Sequence, residues 1–119
     1  MNKVYYLSTC STCNRIIKEL DINNKDFEMQ DIKTEPITPD QLAEMKEMAG
    51  SYESLFSRRS MKFRPMGLHE MDLTEADYKK YILEEYTFLK RPVIFIKNQI
   101  FIGNSKKVVE SAAKILNAD

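Results

Sequence analysis

The sequence predicts one α/β domain, and three features of its 119 residues predict it. A short β-prone run is followed by a helical repeat and then by a second alternating run, which gives a β-α-β order. Two capping boxes mark the starts of two helices in the middle of the chain. Near the carboxyl end, two apolar runs separated by a two-residue break precede a last helical repeat. This mixture of strand and helix signals is typical of an α/β domain.

The first strand and the first helix are separated by a polar loop that contains both cysteines. The run VYYL at residues 4–7 predicts the strand. Apolar residues then recur at the i, i+3, i+4, i+7 spacing of one helix face: Cys13, Ile16, Ile17 and Leu20. Ser11 or Thr12 is the predicted N-cap, and the pair Asn23 and Asn24 is the predicted end of the helix.

A second, weaker strand follows in DFEMQDI, residues 26–32, where Phe27 and Met29 alternate with polar residues. The prolines Pro36 and Pro39 end it, because proline supplies no N–H to a sheet.

The middle of the chain predicts helices with well-defined starts. Thr38 and Gln41 form a capping box with Pro39 at the first helical position, and Gly50 ends that helix. Its amphipathic face consists of Leu42, Met45, Met48 and Ala49. Residues 51–71 have no clean period and predict short helix and loop.

A second capping box, Thr74 with Asp77, begins the next helix. The residues that line one face of this helix are Tyr78, Tyr81, Ile82 and Tyr86.

The last third of the chain predicts a β-hairpin and a helix. Two apolar runs, residues 92–96 and 99–103, are joined by Lys97 and Asn98. Asn104 or Ser105 then caps a helix. Its buried side consists of Val108, Val109, Ala112, Ile115 and Leu116.

Composition excludes several classes of function. Eighteen basic residues balance 18 acidic ones, so the basic excess typical of a nucleic-acid binder is missing, and we expect no direct nucleic-acid partner. No apolar run approaches the roughly 20 residues that span a bilayer, so we expect no membrane partner. The start, MNKVYYLSTC, lacks the apolar run of a secretory signal, and we expect a cytoplasmic protein with reduced thiols.

The two cysteines, Cys10 and Cys13, leave four interpretations: zinc ligands, a structural disulfide, buried inert thiols or a reactive pair. A structural zinc ion needs four thiolate or imidazole ligands, and besides the two thiols only His69 and carboxylates remain, so we expect no metal. A disulfide between them would close a very short loop and would constrain the unfolded chain only slightly. Inert burial suits Cys13, which shares the apolar helix face.

Cys10 fits the reactive interpretation best. It lies just before the predicted helix, where unpaired N–H groups and the helix dipole favour a negative charge. This position lowers a thiol pKa and raises the thiolate fraction. Residues three apart at a helix start are neighbours, so Cys13 could form a reversible disulfide with Cys10.

Three segments carry a resemblance to the arsenate reductase (ArsC)/Spx family: VYYLSTCSTCNRIIKEL, LFSRRSMKF and LKRPVIFIKNQIFIGNSKKVVESAAKIL. The resemblance implies a thioredoxin-like fold, with a mixed four-stranded sheet, flanking helices and a helical insertion. It places the core at about residues 1–33 and 88–117 and the insertion at about residues 38–87 of a single domain, residues 1–119.

The resemblance also implies roles for individual residues. Cys10 matches the nucleophile, with Cys13 as the resolving thiol or redox-disulfide partner and Arg91 as a third catalytic residue. Arg59, Arg91 and Thr12 are the implied oxyanion-binding residues, since guanidinium groups bind oxyanions and also stabilise thiolates.

Two neighbours of these residues complete the implied site. Arg58 is a rival of Arg59 one position away. Pro92 matches a cis-proline. No bound cofactor is implied; glutathione with glutaredoxin, or thioredoxin, is the implied reductant of a small anionic substrate.

Two activities remain open within this family. Arsenate reductases have a third arginine after the last strand, where this chain has Gly103 and Asn104, and a histidine where it has Tyr6. They also tend to have serine in place of Cys13. The C-x-x-C pair is instead similar to Spx proteins, redox-switched regulators that bind the RNA polymerase α subunit, although the chain ends without the longer tail of Spx.

Overall fold

The structure, a computed structural model that describes residues 2–118, contains one mixed sheet of four short strands. The strands are β1 (Lys3–Tyr6), β2 (Glu28–Asp31), β3 (Val93–Ile96) and β4 (Gln99–Ile102). Their order in the sheet is β2-β1-β3-β4. β1 pairs in parallel with β2 and antiparallel with β3, and β3 pairs antiparallel with β4. The predicted mixed four-stranded sheet and C-terminal hairpin are therefore confirmed.

Within residues 2–118 the α-helices are α1 (Ser11–Glu19), α2 (Pro39–Ala49), α3 (Glu75–Glu84) and α4 (Lys106–Leu116). Short 3₁₀ turns occur at Ile22–Asn24, Glu53–Leu55, Leu68–Glu70 and Tyr86–Phe88. The chain forms two compact units, one from residues up to 35 together with those from 91 onward, and one from Pro36–Lys90. The predicted limits of core and insertion within a single domain stay a prediction.

In the first unit, α1 and α4 pack against one face of the sheet. Strand residues alternate between the two faces, so the pair Val4 and Ile94 faces the helices with its same-face neighbours. The buried side chains of this core are Val4, Ile16, Ile17, Leu20, Ile22, Ile94, Ile96, Phe101 and Ala112. Since α1 contributes two of them and its C-cap Leu20 a third, its position on the sheet is fixed by apolar packing, and so is the position of its first turn.

In the second unit, the two predicted capping boxes are confirmed. Thr38 Oγ1 accepts the Gln41 N–H at 3.1 Å, and Gln41 Oε1 accepts the Thr38 N–H at 3.1 Å. Thr74 and Asp77 make the same reciprocal pair at the start of α3. Gly50 ends α2 in the left-handed conformation, with φ of 95°, as predicted.

The core of the second unit is centred on Phe56, which is 1% exposed. Its ring stacks on Phe88 at 5.1 Å between centroids and contacts Tyr78 at 5.0 Å. Phe63 meets the same ring edge-on at 6.1 Å. The backbone just after Phe56 is tied to the same core, because the Ser57 N–H donates to the Phe88 carbonyl at 2.7 Å.

Two predictions for α1 are wrong. Its N-cap is Cys10 and not Ser11 or Thr12. The helix ends at Glu19, before the predicted Asn23 and Asn24, because Asp21 adopts a left-handed φ of 56° and starts a separate 3₁₀ turn.

Details of the other helices also differ from prediction. Met48, predicted on the apolar face of α2, is 38% exposed. Tyr86 lies beyond the end of α3, in a 3₁₀ turn. Of the two candidate caps of α4, Ser105 is the N-cap, and its hydroxyl accepts the Val108 N–H at 3.2 Å. In the part of the chain that the structure describes, no helix has the length and apolar character to cross a membrane.

Candidate functional site

The strand directions bring three loops of the first unit to one edge of the sheet. Parallel pairing sets Tyr6 beside Asp31 at the ends of β1 and β2. Antiparallel pairing sets Tyr5 opposite Val93, so the segment entering β3 lies beside the loop leaving β1. This edge therefore holds the cysteine loop, the loop after β2, and the segment that contains Arg91.

Cys10 is the N-cap residue of α1 and has an extended backbone, with φ of −93° and ψ of 111°. Its N–H donates to the Leu7 carbonyl at 2.9 Å, and its carbonyl accepts the N–H of Asn14 at 3.1 Å. A side chain at the N-cap lies beside N–H groups that have no partner inside the helix. The Cys10 thiol occupies this position and is partly exposed.

The surroundings of Cys10 favour its thiolate. Partial burial alone would raise the pKa of the thiol, but the pKa is lowered, because the Cys13 N–H, the Cys13 thiol, the Arg91 charge and the Thr12 N–H all stabilise the anion. The side chain makes no capping hydrogen bond of standard geometry, as befits a neutral thiol, which is a weak acceptor. Loss of the proton turns the sulfur into a strong acceptor for the same N–H groups.

Cys13 has the opposite character and is 0% exposed. Burial, together with the hydrogen bond and negative charge of Cys10, raises the pKa of Cys13 to about 12, against the lowering effects of the Leu7 N–H and Arg91. Cys13 therefore stays protonated and acts as the hydrogen-bond donor to the Cys10 sulfur. The two cysteines are not joined by a disulfide. One cysteine is thus an accessible, activated thiol and the other a buried proton donor beside it.

Arg91 and Pro92 are joined by a cis peptide bond, as the resemblance predicts for Pro92. The positive charge of Arg91 lowers the pKa of both cysteines, so the guanidinium lies within electrostatic reach of both sulfurs. The structure therefore brings Cys10, Thr12, Cys13 and Arg91 together in the first unit. Their individual roles stay predictions.

Arg59 and its rival Arg58 belong to the second unit, and their surroundings differ. The Arg58 guanidinium binds Glu53 Oε2 at 3.1 Å and the Tyr78 hydroxyl at 2.7 Å. Arg59 donates its backbone N–H to Ser57 Oγ at 3.3 Å, and no carboxylate among residues 2–118 pairs with its guanidinium. Arg58 is thus engaged within its own unit, and the role of Arg59 stays a prediction.

Sequence reasoning missed two residues that hold the cysteine loop. The Asn14 side-chain amide donates to the Ser8 carbonyl at 3.0 Å. On the other side, Asp31 accepts hydrogen bonds from the Ser8 hydroxyl and N–H, which lower the pKa of its carboxyl. An asparagine in the first turn of a helix is a signal for such a contact, because its short amide competes for nearby backbone groups.

No metal site adds to this chemistry in the described part of the chain. Among residues 2–118, no three histidine, cysteine or acidic side chains are placed to hold a metal ion.

Known proteins share sequence and fold with this chain. A sequence model of the ArsC family matches residues 5–112. Among curated relatives, the global transcriptional regulator Spx 2 of Bacillus anthracis is 24% identical over 102 residues, which are 84% of this chain and 77% of the relative.

Solved structures extend the similarity to the whole fold. The YffB (PA3664) protein matches with a TM-score of 0.82 and 21% identity, over 98% of this chain and 99% of its own. The arsenate reductase of Vibrio cholerae matches with a TM-score of 0.77 and 12% identity, over 96% of each chain. These matches confirm the thioredoxin-like fold that the sequence segments imply.

Proposed function

Because the chain belongs to the ArsC family, we propose that it is a thiol oxidoreductase in which Cys10 is the nucleophile and Cys13 the resolving thiol. One observation supports this above all: Cys10 is the partly exposed N-cap residue of α1, one helical turn from the buried Cys13, and the first N–H groups of the helix, Cys13 and Arg91 lower the pKa of its thiol. Such an asymmetric pair suits attack by one sulfur and resolution by the other.

The reaction has two covalent steps. The Cys10 thiolate attacks the substrate and bonds to it through its sulfur, while an As–O bond breaks and hydroxide or water leaves arsenate, or the S–S bond breaks and a thiolate leaves a disulfide substrate. The Cys13 sulfur then loses its proton, attacks the Cys10 sulfur, and forms the disulfide while the leaving group departs with the bonding electron pair. An external dithiol or glutathione returns two electrons and two protons and restores both thiols.

Adduct formation also changes the electrostatics of Cys13. Once the Cys10 sulfur is bonded to the substrate, it no longer carries the negative charge or accepts the hydrogen bond that raise the pKa of Cys13. Burial remains the main obstacle to a Cys13 thiolate. The resolving thiol therefore becomes more acidic only after the first step has occurred, which orders the two steps.

We propose that arginines bind the anionic part of the substrate. Arg91 supplies a planar cation at the cysteine loop, and the Thr12 N–H belongs to the same anion-favouring helix start. Arg59 is the proposed second cation, on the basis of the family resemblance and because Arg58 is engaged by Glu53. Arsenate is the first substrate to test, and glutathione with glutaredoxin, or thioredoxin, is the proposed reductant.

The test is turnover by the purified reduced protein of arsenate and, separately, of hydroxyethyl disulfide, with each reductant. We expect turnover of at least one substrate and, when reductant is omitted, accumulation of the Cys10–Cys13 disulfide, detected by mass spectrometry. Absence of turnover with both substrates, together with two unmodified thiols, would contradict the proposal.

A second function has its own support. The contacting C-x-x-C thiols suit a reversible switch, and a curated relative is named as a global transcriptional regulator. In this alternative, formation of the Cys10–Cys13 disulfide changes the affinity of the protein for the RNA polymerase α subunit. A pull-down with the purified α subunit, with and without dithiothreitol, tests it. Binding that depends on dithiothreitol supports the switch, and no binding in either state rejects it.

A further inference from the structure

We propose that Asn14 is a positioning residue for the reactive thiol, which holds the loop before α1 so that the Cys10 sulfur stays in front of the first N–H groups of the helix. The inference deepens the proposed function and rests on it, because it concerns how that nucleophile is kept active.

Asn14 makes two hydrogen bonds to the cysteine loop, one from its backbone N–H and one from its side-chain amide. Its backbone N–H donates to the Cys10 carbonyl at 3.1 Å, which is the first hydrogen bond of α1. Its side-chain amide reaches back to the Ser8 carbonyl at 3.0 Å. The residues on either side of Thr9 are thereby tied to one asparagine of the helix.

Ser8 is held from the other side by the sheet. The Asp31 carboxylate, at the end of β2, accepts the Ser8 hydroxyl and N–H and also accepts the Lys33 N–H at 3.1 Å. The loop is thus fixed between β2 and α1, with Ser8 as the common point. The hydrogen bond from Asn14 joins the loop to α1, whose first N–H groups face the Cys10 sulfur.

The contact between Asn14 and Ser8 affects the pKa of Cys10 through the position of its sulfur. The Cys13 and Thr12 N–H groups favour the Cys10 anion only while the sulfur stays in front of them. These charge-assisted interactions are stronger for the thiolate than for the thiol. Removal of the Ser8 contact frees the loop to move. The thiolate then loses more stabilisation by the N–H groups than the thiol does, so the pKa of Cys10 rises. We expect the same motion to expose Cys13, because Leu7 at the start of this loop makes a backbone hydrogen bond to the Cys13 sulfur.

The test measures the pH dependence of iodoacetamide alkylation at Cys10 and Cys13 separately, by mass spectrometry of the full-length reduced protein. In Asn14→Ala we expect the Cys10 midpoint to rise by about half a pH unit, a roughly threefold loss of thiolate below the midpoint. We also expect faster alkylation of Cys13. Alanine is the best helix former, so the substitution keeps α1 intact.

Two control variants separate positioning from simple stabilisation. Arg15→Ala removes the neighbouring exposed side chain, which makes only a 3.9 Å ion pair with Glu19. Asn24→Ala removes an asparagine hydrogen bond outside the site, to Asp21 at 2.6 Å. We expect both to keep the wild-type Cys10 midpoint, whatever their melting temperatures.

The conservative Asn14→Gln variant, which keeps the amide donor on a longer side chain, is expected to fall between wild type and Asn14→Ala. A lowered wild-type midpoint that does not move in Asn14→Ala overturns this inference and leaves the proposed function standing. An ordinary wild-type midpoint, near the ~8.5 of a free cysteine, rejects the activated nucleophile itself and the inference with it.

Discussion

Replacing Cys10 by serine is expected to reduce turnover by more than about a thousandfold without destabilising the protein. Serine keeps the size of the side chain but not a thiolate, so the attacking group is lost. As an N-cap, however, serine is among the preferred residues, and its hydroxyl can accept the N–H groups that the neutral thiol leaves without a standard hydrogen bond. Activity and stability should therefore separate in this variant.

The measurements are turnover with the best substrate found for the wild type, and the thermal melting temperature by circular dichroism. Cys13→Ser is the matched variant, because it keeps the nucleophile and removes only the resolving thiol. It is expected to form the Cys10 adduct in a single stoichiometric step and then stop. Turnover by Cys10→Ser within tenfold of the wild type would show that Cys10 is not the nucleophile.

Replacing Phe56 by alanine is expected to lower the free energy of unfolding by about 3–5 kcal/mol. The ring is 1% exposed and contacts three other aromatic rings, those of Phe63, Tyr78 and Phe88. Its removal leaves a cavity that surrounding residues fill only in part, which adds to the lost transfer free energy. A loss of this size approaches the whole stability of a small domain.

Urea denaturation, followed by circular dichroism, measures this loss. Met61→Ala is the control, because Met61 is 91% exposed and its truncation should change stability by no more than about 0.5 kcal/mol. A loss below about 1 kcal/mol in Phe56→Ala would contradict the central place of this ring in the second unit.

The features predicted correctly from the sequence were those that depend on neighbours along the chain. The boxes at Thr38 and Thr74 need only residues three positions apart. The hairpin needs only two apolar runs and the short turn at Lys97 and Asn98. The predicted N-cap of α1 is one or two residues too late, because cysteine is not among the preferred N-cap residues and Ser11 and Thr12 are stronger candidates by propensity.

The arrangement of the site could be predicted only in part. The spacing of Cys10 and Cys13 at the end of a strand indicated their contact, because adjacent helical turns determine it. Arg91 lies about 80 residues further along the chain and joins them through the antiparallel pairing of β1 with β3. No local pattern indicates that pairing, and only the family resemblance pointed to Arg91. The contact of Asn14 with Ser8 was not predicted, because it depends on the loop conformation.

The proposed chemistry requires that Cys10 is held as a thiolate, and the pKa of its thiol tests this requirement. Alkylation proceeds through the thiolate, so the midpoint of the rate against pH reports the pKa of Cys10 in the folded protein. The N–H groups of α1 and the charge of Arg91 lower that pKa. We expect a midpoint below the ~8.5 of a free cysteine, and a midpoint at or above that value would reject Cys10 as an activated nucleophile.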